Sequence, residues 1–160
     1  MSLTTPKINY TSIRDELITF LRANVISLNV GLDTSFADTT TQIKKGFIYE
    51  TPSFVTDYPL ILVDTNNRSE EPLTMGLRKL ATINLDVYGI VREISAGGYD
   101  DNDQVTVLMS NIEGLLRNNI TFSSTAILYT RIPSTDFKLS ESGIYVAGGL
   151  LKLEILVEVI

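Results

Sequence analysis

The densest run of groups able to do chemistry is Asp100-Asp101-Asn102-Asp103, consecutive oxygen-bearing side chains of the kind that bind hard cations. It lacks the central glycine and the downstream bidentate Glu of a calcium-binding loop. The positive N-terminal end of a helix dipole also attracts carboxylates, and that role accounts for the same residues. Glu70-Glu71 is a second carboxylate pair. Paired carboxylates act as general acid and base where an apolar pocket keeps one of them protonated, but these two stand in a hydrophilic stretch. Gly97-Gly98 and Gly148-Gly149 belong to no Gly-x-x-x-x-Gly-Lys phosphate loop and to no Gly-x-Gly-x-x-Gly dinucleotide turn. Ser110, Ser123 and Ser124 have no histidine to activate them and sit in no Gly-x-Ser-x-Gly elbow.

Two residue types are missing altogether. The chain has no cysteine, so it has no disulfide, thiolate zinc site or thiol nucleophile. It has no histidine, which removes the commonest general base and the commonest metal ligand. The expectation is a protein that is not an enzyme and carries no cofactor or metal. The formal charge of −6, from 13 basic and 19 acidic residues, opposes a grip on nucleic acid by phosphate neutralisation. The basic doublets Lys44-Lys45 and Arg78-Lys79 stand far apart. Tyr49, Tyr58, Tyr88, Tyr99, Tyr129 and Tyr145 are scattered, which suits strands and interfaces better than a base-stacking platform. Residues 1–8 are polar, unlike a secretion signal, and no apolar run approaches the roughly 20 residues of a membrane helix. Without a secretion signal, the three Asn-x-Thr/Ser matches at Asn9, Asn67 and Asn119 are read as chance.

The elements that would position these residues follow from periodicity. A length of 160 residues predicts one domain over 1–160, with 1–9 as a flexible arm. Ser12 and Asp15 resemble a capping box, and Ile13, Leu17, Phe20 and Leu21 recur at helical spacing, predicting a helix over about 11–26. Residues 29–43 read as a loop, 45–49 as a short strand and 50–58 as another loop. Leu60-Ile61-Leu62-Val63 is a strand covered on both faces, with Pro59 tolerated just before it. The polar residues 64–76 read as a long loop. Alternation over 79–91 predicts the longest strand, and Gly97-Gly98 a turn. Asp100, Asp101 and Asp103 open a second helix whose apolar side is Val105, Leu108, Met109, Ile112, Leu115 and Leu116, stopping at Asn118-Asn119. A strand over 125–132 closes at Pro133, residues 134–143 turn, and Gly148-Gly149 bends the chain into a terminal strand over 150–160. In that strand Leu151, Leu153, Ile155, Val157 and Val159 take one side, while Lys152, Glu154, Leu156, Glu158 and Ile160 take the other. The expected fold is α+β: a mostly antiparallel β-sheet with two main α-helices packed on one face.

The order of elements carries a resemblance. An opening amphipathic helix over 12–26 precedes Tyr58-Pro59-Leu60-Ile61-Leu62-Val63 and a polar excursion. A long strand ending Asp86-Val87-Tyr88-Gly89, a helix over 101–117 and a terminal strand follow. This order resembles the tail terminator proteins of long-tailed bacteriophages and, more loosely, their head–tail joining relatives. The resemblance implies a structural protein that forms a ring, expected to be a hexamer. Such a ring caps the tail tube, stops its polymerisation and meets the head connector. It implies partners in the tail tube protein and a head-completion or connector protein. DNA would pass through the channel without specific binding, and no membrane would be involved. It implies assembly in the host cytoplasm and a final place at the head-proximal end of the virion tail.

Interface positions are inferred from the residues. One candidate patch is the exposed side of the strand pair 79–91 and 150–160, with Leu156 and Ile160 where a solitary domain would prefer charge. The chain's own helices are the first expectation for what covers them, and an intersubunit seam the second. The other patch is the 64–76 loop with Arg68, Glu70 and Glu71, flanked by Arg78 and Lys79. Alternative readings are a head-closure or tail-completion connector and, from another class, a small carboxylate-dependent enzyme or ligand-binding α+β domain.

Overall fold

The computed structural model describes residues 10–32, 34–46, 58–72, 79–92, 101–122, 127–136 and 146–159. In order they form α1 (Tyr10–Ala23), α2 (Val25–Leu28), α3 (Thr39–Gln42), β1 (Ile43–Lys45), β2 (Leu60–Pro72), β3 (Lys79–Arg92), α4 (Asp101–Asn118), β4 (Ile127–Asp136) and β5 (Val146–Val159). The fold is α+β. A five-stranded mixed sheet runs in the order β1-β2-β3-β5-β4. Among the described residues the short β1–β2 pair is parallel, and the other three pairs are antiparallel.

The centre of the sheet is β3, paired over its full length with β5 from Lys79↔Val159 to Arg92↔Val146. Strict alternation sorts their side chains. Ala81, Ile83, Leu85 and Val87 of β3 are buried with Leu151, Leu153, Ile155 and Val157 of β5. They join Ile61 and Val63 of β2, Ile13, Leu17, Ile18 and Leu21 of α1, and Val105, Leu108, Met109, Ile112 and Leu116 of α4 in one apolar cluster. Residues four apart on a helix share a face, which is why these helical positions can all reach the cluster. A smaller cluster of Leu60, Leu62 and Ile90, flanked by Tyr58 and Tyr88, belongs to the other series of alternate residues.

Several expectations are corrected. The polar residues after Val63 are not a loop: β2 runs on to Pro72 and pairs with β3 until Pro72↔Lys79, with one bulge between Thr65 and Asn67. Pairing with a strongly apolar partner strand imposes extended backbone on a segment with no strand pattern of its own. The strand expected over 45–49 lies earlier, at Ile43–Lys45, and α3 (Thr39–Gln42) occupies part of the expected loop 29–43. β4 does not close at Pro133 but continues to Asp136; the register breaks between Arg131 and Ser134, and an edge strand tolerates proline at such a bulge. The first helix begins at Tyr10, so Ser12 lies inside its first turn rather than at its cap, and it ends at Ala23 before the separate turn of α2. The second helix does span Asp101–Asn118, and the Asn119 side chain donates to the Leu115 carbonyl at 2.9 Å beyond its end.

Gly148-Gly149 is not a bend. Both lie within β5, and Gly149 pairs directly with Gly89 of β3. A Cβ on Gly89 would stand 2.6 Å from the Met109 Sδ, and one on Gly149 would stand 2.5 Å from the Met109 Cγ. The two glycines open a notch in the sheet that admits Met109, bringing α4 close to β3 and β5. Polar contacts set the start of the sheet. The buried Gln42 accepts from the amides of Ala37 and Asp38 at 2.7 and 2.6 Å and donates to the Pro59 carbonyl at 3.1 Å. Arg22 donates to the carbonyls of Thr39, Thr40 and Ile43. Together they fix the β1 side of the sheet to α1. The expected arm 1–9, the strand and loop assigned to 47–57, Gly97-Gly98, Asp100 and the turn over 137–143 lie outside the described residues.

Candidate interaction surface

The sheet face that does not contribute to the large cluster can be laid out from the register alone, because directly opposed residues share a face. Successive rows read Leu60–Ile90–Gly148, Leu62–Tyr88–Leu150–Asp136, Asp64–Asp86–Lys152–Ser134, Asn67–Asn84–Glu154–Arg131 and Ser69–Thr82–Leu156–Tyr129. One end is apolar and buried at Leu60, Leu62 and Ile90. The middle is charged. There Arg131 donates to Glu154 from Nε at 2.9 Å and reaches the same oxygen from Nη2 at 2.7 Å. With the arginine side chain 60% exposed, this cross-strand pair contributes roughly 0–1 kcal/mol and mainly orients the guanidinium. The row that follows pairs the half-buried Leu156 and the 50% exposed Tyr129 with Thr82 and Ser69, and beyond it the register ends at Glu71–Leu80–Glu158.

Leu156 therefore lies on the face away from α1 and α4. Its neighbours Ile155 and Val157 belong to the helix-lined cluster and Leu156 does not, so covering by these helices, the first expectation, is not what the structure gives. Tyr129 reaches the same row because β4 bulges between Ile127 and Tyr129; the extra residue, Leu128, is 48% exposed. Leu128 was not anticipated, and Tyr129 only as one of six scattered tyrosines suited to strands and interfaces. A bulge adds one residue to the count and shifts the alternation, so the pattern of β4 alone does not show which side chains face out.

The other sequence-derived positions are not brought together. Arg68 and Glu70 occupy register positions opposite Ile83 and Ala81, whereas Glu71 is opposite Leu80, so the supposed charge patch alternates between faces of a strand. Lys79 opens β3 opposite Pro72 and Val159, on the face that Leu156 does not share. Arg78 and Ile160 lie outside the described residues. Asp101 stands at the first position of α4 with Asp103 in its first turn. Among the described residues, no three Asp or Glu side chains come together as metal ligands.

A second exposed apolar feature lies beside α4. Ile26 is 83% and Val30 63% exposed, and Asn111 holds this segment by donating to the carbonyls of Leu28 and Val30 at 3.0 and 2.8 Å. What the surface offers chemically is contact: the neighbouring Leu156 and Tyr129 beside an oriented Arg131–Glu154 pair. A scan against protein-family models and a search of curated proteins each find no match for the chain.

Proposed function

We propose that the chain is a structural virion assembly protein: a ring-forming tail terminator that caps a phage tail tube and faces the head connector. The observation that carries this reading is the adjacent pair Leu156 and Tyr129, half-buried and 50% exposed, on the sheet face away from the helix-lined cluster. A pair of this kind suits burial against another subunit. The order of elements supports it by its resemblance to tail terminators, as does a sequence without histidine or cysteine. In a cyclic ring each subunit presents two different complementary patches, and closure of the rotation limits growth, as stopping tube polymerisation requires. The partners would be further copies of the chain, the tail tube protein and a head-completion protein.

The test is light scattering with negative-stain imaging of the purified protein at micromolar concentration, alone and with tube protein. The expected result is a ring with a central hole, at about six times the 17.7 kDa chain mass. A species that stays monomeric in both conditions overturns the proposal. A ring that binds a portal-side protein but not tube protein points instead to a head-closure connector.

A further inference from the structure

Among the described residues, the large apolar side chains that stay exposed fall into two groups on different sides of the sheet. Ile26 and Val30 lie on the helix side, where Asn111 of α4 holds their segment through the Leu28 and Val30 carbonyls. Ile120, 45% exposed, follows the end of the same helix. Leu128 and Tyr129 belong to β4, and Tyr129 stands level with Leu156 on the face away from the helices. Each group lies near an exposed arginine gripped by a glutamate of its own chain. Arg131 and Glu154 form the row next to Tyr129 and Leu156. On α4, Arg117 meets Glu113 at 2.7 Å with its side chain 59% exposed. Glu113 lies about 200° around the helix from Asn111, so the outward ridge of Ser110 and Gly114 separates this ion pair from Val30.

We infer that the outer side of α2 and α4 in one subunit packs on the Leu156–Tyr129 face of the next, a seam that rests on the ring reading and says how the ring is built. Charge selects these surfaces. A formal charge of −6 makes copies of the chain repel, so a contact between them has to sit where charge is absent or satisfied. Residues 23–32 carry no charge at all. Both ion pairs are neutral in themselves, and laid together they alternate in sign. Arg117 then meets Glu154 of the next subunit, and Arg131 of that subunit meets Glu113. Interfaces commonly have this arrangement, an uncharged apolar centre bounded by polar groups. A Cβ at Gly114 meets nothing within 4 Å, and without one the ridge of α4 lets a sheet come close. Helix on sheet is also how the subunit packs internally, with α4 against β3 and β5. The contact is heterologous: one copy gives its helices and the other its sheet, so each subunit keeps one surface for either neighbour, as a ring requires.

Charge reversal in the full chain is the test. Arg131→Glu puts two glutamates on the sheet patch, and Glu113→Arg puts two arginines on the helix patch. Each alone should move the assembly midpoint in light scattering about tenfold to higher concentration, with the folded monomer unchanged by circular dichroism. The double variant sets two arginines against two glutamates across every seam, and its midpoint should return to that of the parent or below. Contacts between like patches would instead face arginine with arginine and glutamate with glutamate. A double variant weaker than either single, with the parent ring intact, therefore overturns the seam and leaves the ring standing. A parent that stays monomeric alone and with tube protein overturns both. The cysteine-free chain allows a second readout that needs no charge change. Ser27→Cys and Ser134→Cys, both at exposed positions, are introduced singly and together and treated with a short bis-maleimide. The expected result is a ladder of covalent multimers ending at the ring size for the pair and none for the singles. Dimers from either single, or an intact ring that never crosslinks, overturn the seam.

Discussion

Met109, Gly89 and Gly149 form a close contact between helix and sheet, and the three positions differ in how much they can yield. Gly89→Ala would drive its methyl into a thioether, which can swing aside, and against Leu108 at 3.1 Å. Gly149→Ala also meets the Asp136 backbone carbonyl at 2.9 Å, which cannot swing. Overpacking of this sort costs typically about 1–3 kcal/mol, with Gly149→Ala the more severe of the two. Met109→Ala in the same chain should recover most of the loss at Gly89 relative to its own background but little of that at Gly149; urea midpoints of the singles and doubles measure this. Gln42→Ala leaves the Ala37 and Asp38 amides and the Pro59 carbonyl without that partner, a loss of about 2–3 kcal/mol in the same assay. Arg22→Lys should not restore what Arg22→Ala loses, because a single ammonium does not reproduce the planar fork that spans Thr39, Thr40 and Ile43.

Helix α4 carries one residue that its packing does not require. Gly114 stands mid-helix, and a Cβ there meets nothing within 4 Å. Gly114→Ala should therefore raise stability by about 0.5–1 kcal/mol through helix propensity and a less flexible unfolded chain, seen as a higher urea midpoint. If that helix face is buried in an assembly, the same change will lower assembly while still stabilising the monomer. The elements differ in how legible they were in the sequence. α4, β3 and β5 declare themselves because each buries one side of a regular period, and the same alternation puts Leu156 on the face away from the helices. Residues 64–72 carry no such period; β3 imposes their strand through long-range pairing that local composition does not encode. Gly148-Gly149 has the composition of a turn, yet it answers to Met109 on a helix that lies earlier in the chain. The row that Tyr129 joins, and the exposure of Leu128, stayed hidden because a bulge breaks the count, and Arg68, Glu70 and Glu71 looked like one patch only while they were read as a loop.

At the scale of the whole molecule, the sheet separates folding from contact. One face holds the large apolar cluster, and the other holds Leu156 and Tyr129 side by side. Leu156→Lys should leave the folded monomer intact by circular dichroism and urea titration while lowering the ring fraction in light scattering. Global unfolding instead would place Leu156 in the home core. The notch at Gly89 and Gly149 has a consequence at this scale too. The Met109 sulfur is fully buried, in a space where not even a methyl group fits, and conversion to the sulfoxide adds an oxygen atom and a strong dipole. Oxidant can reach that sulfur only when α4 leaves the sheet, an event that dismantles the core. In peroxide, the rate of Met109 oxidation, followed by peptide mass analysis, becomes a clock for the rare opening of the entire fold.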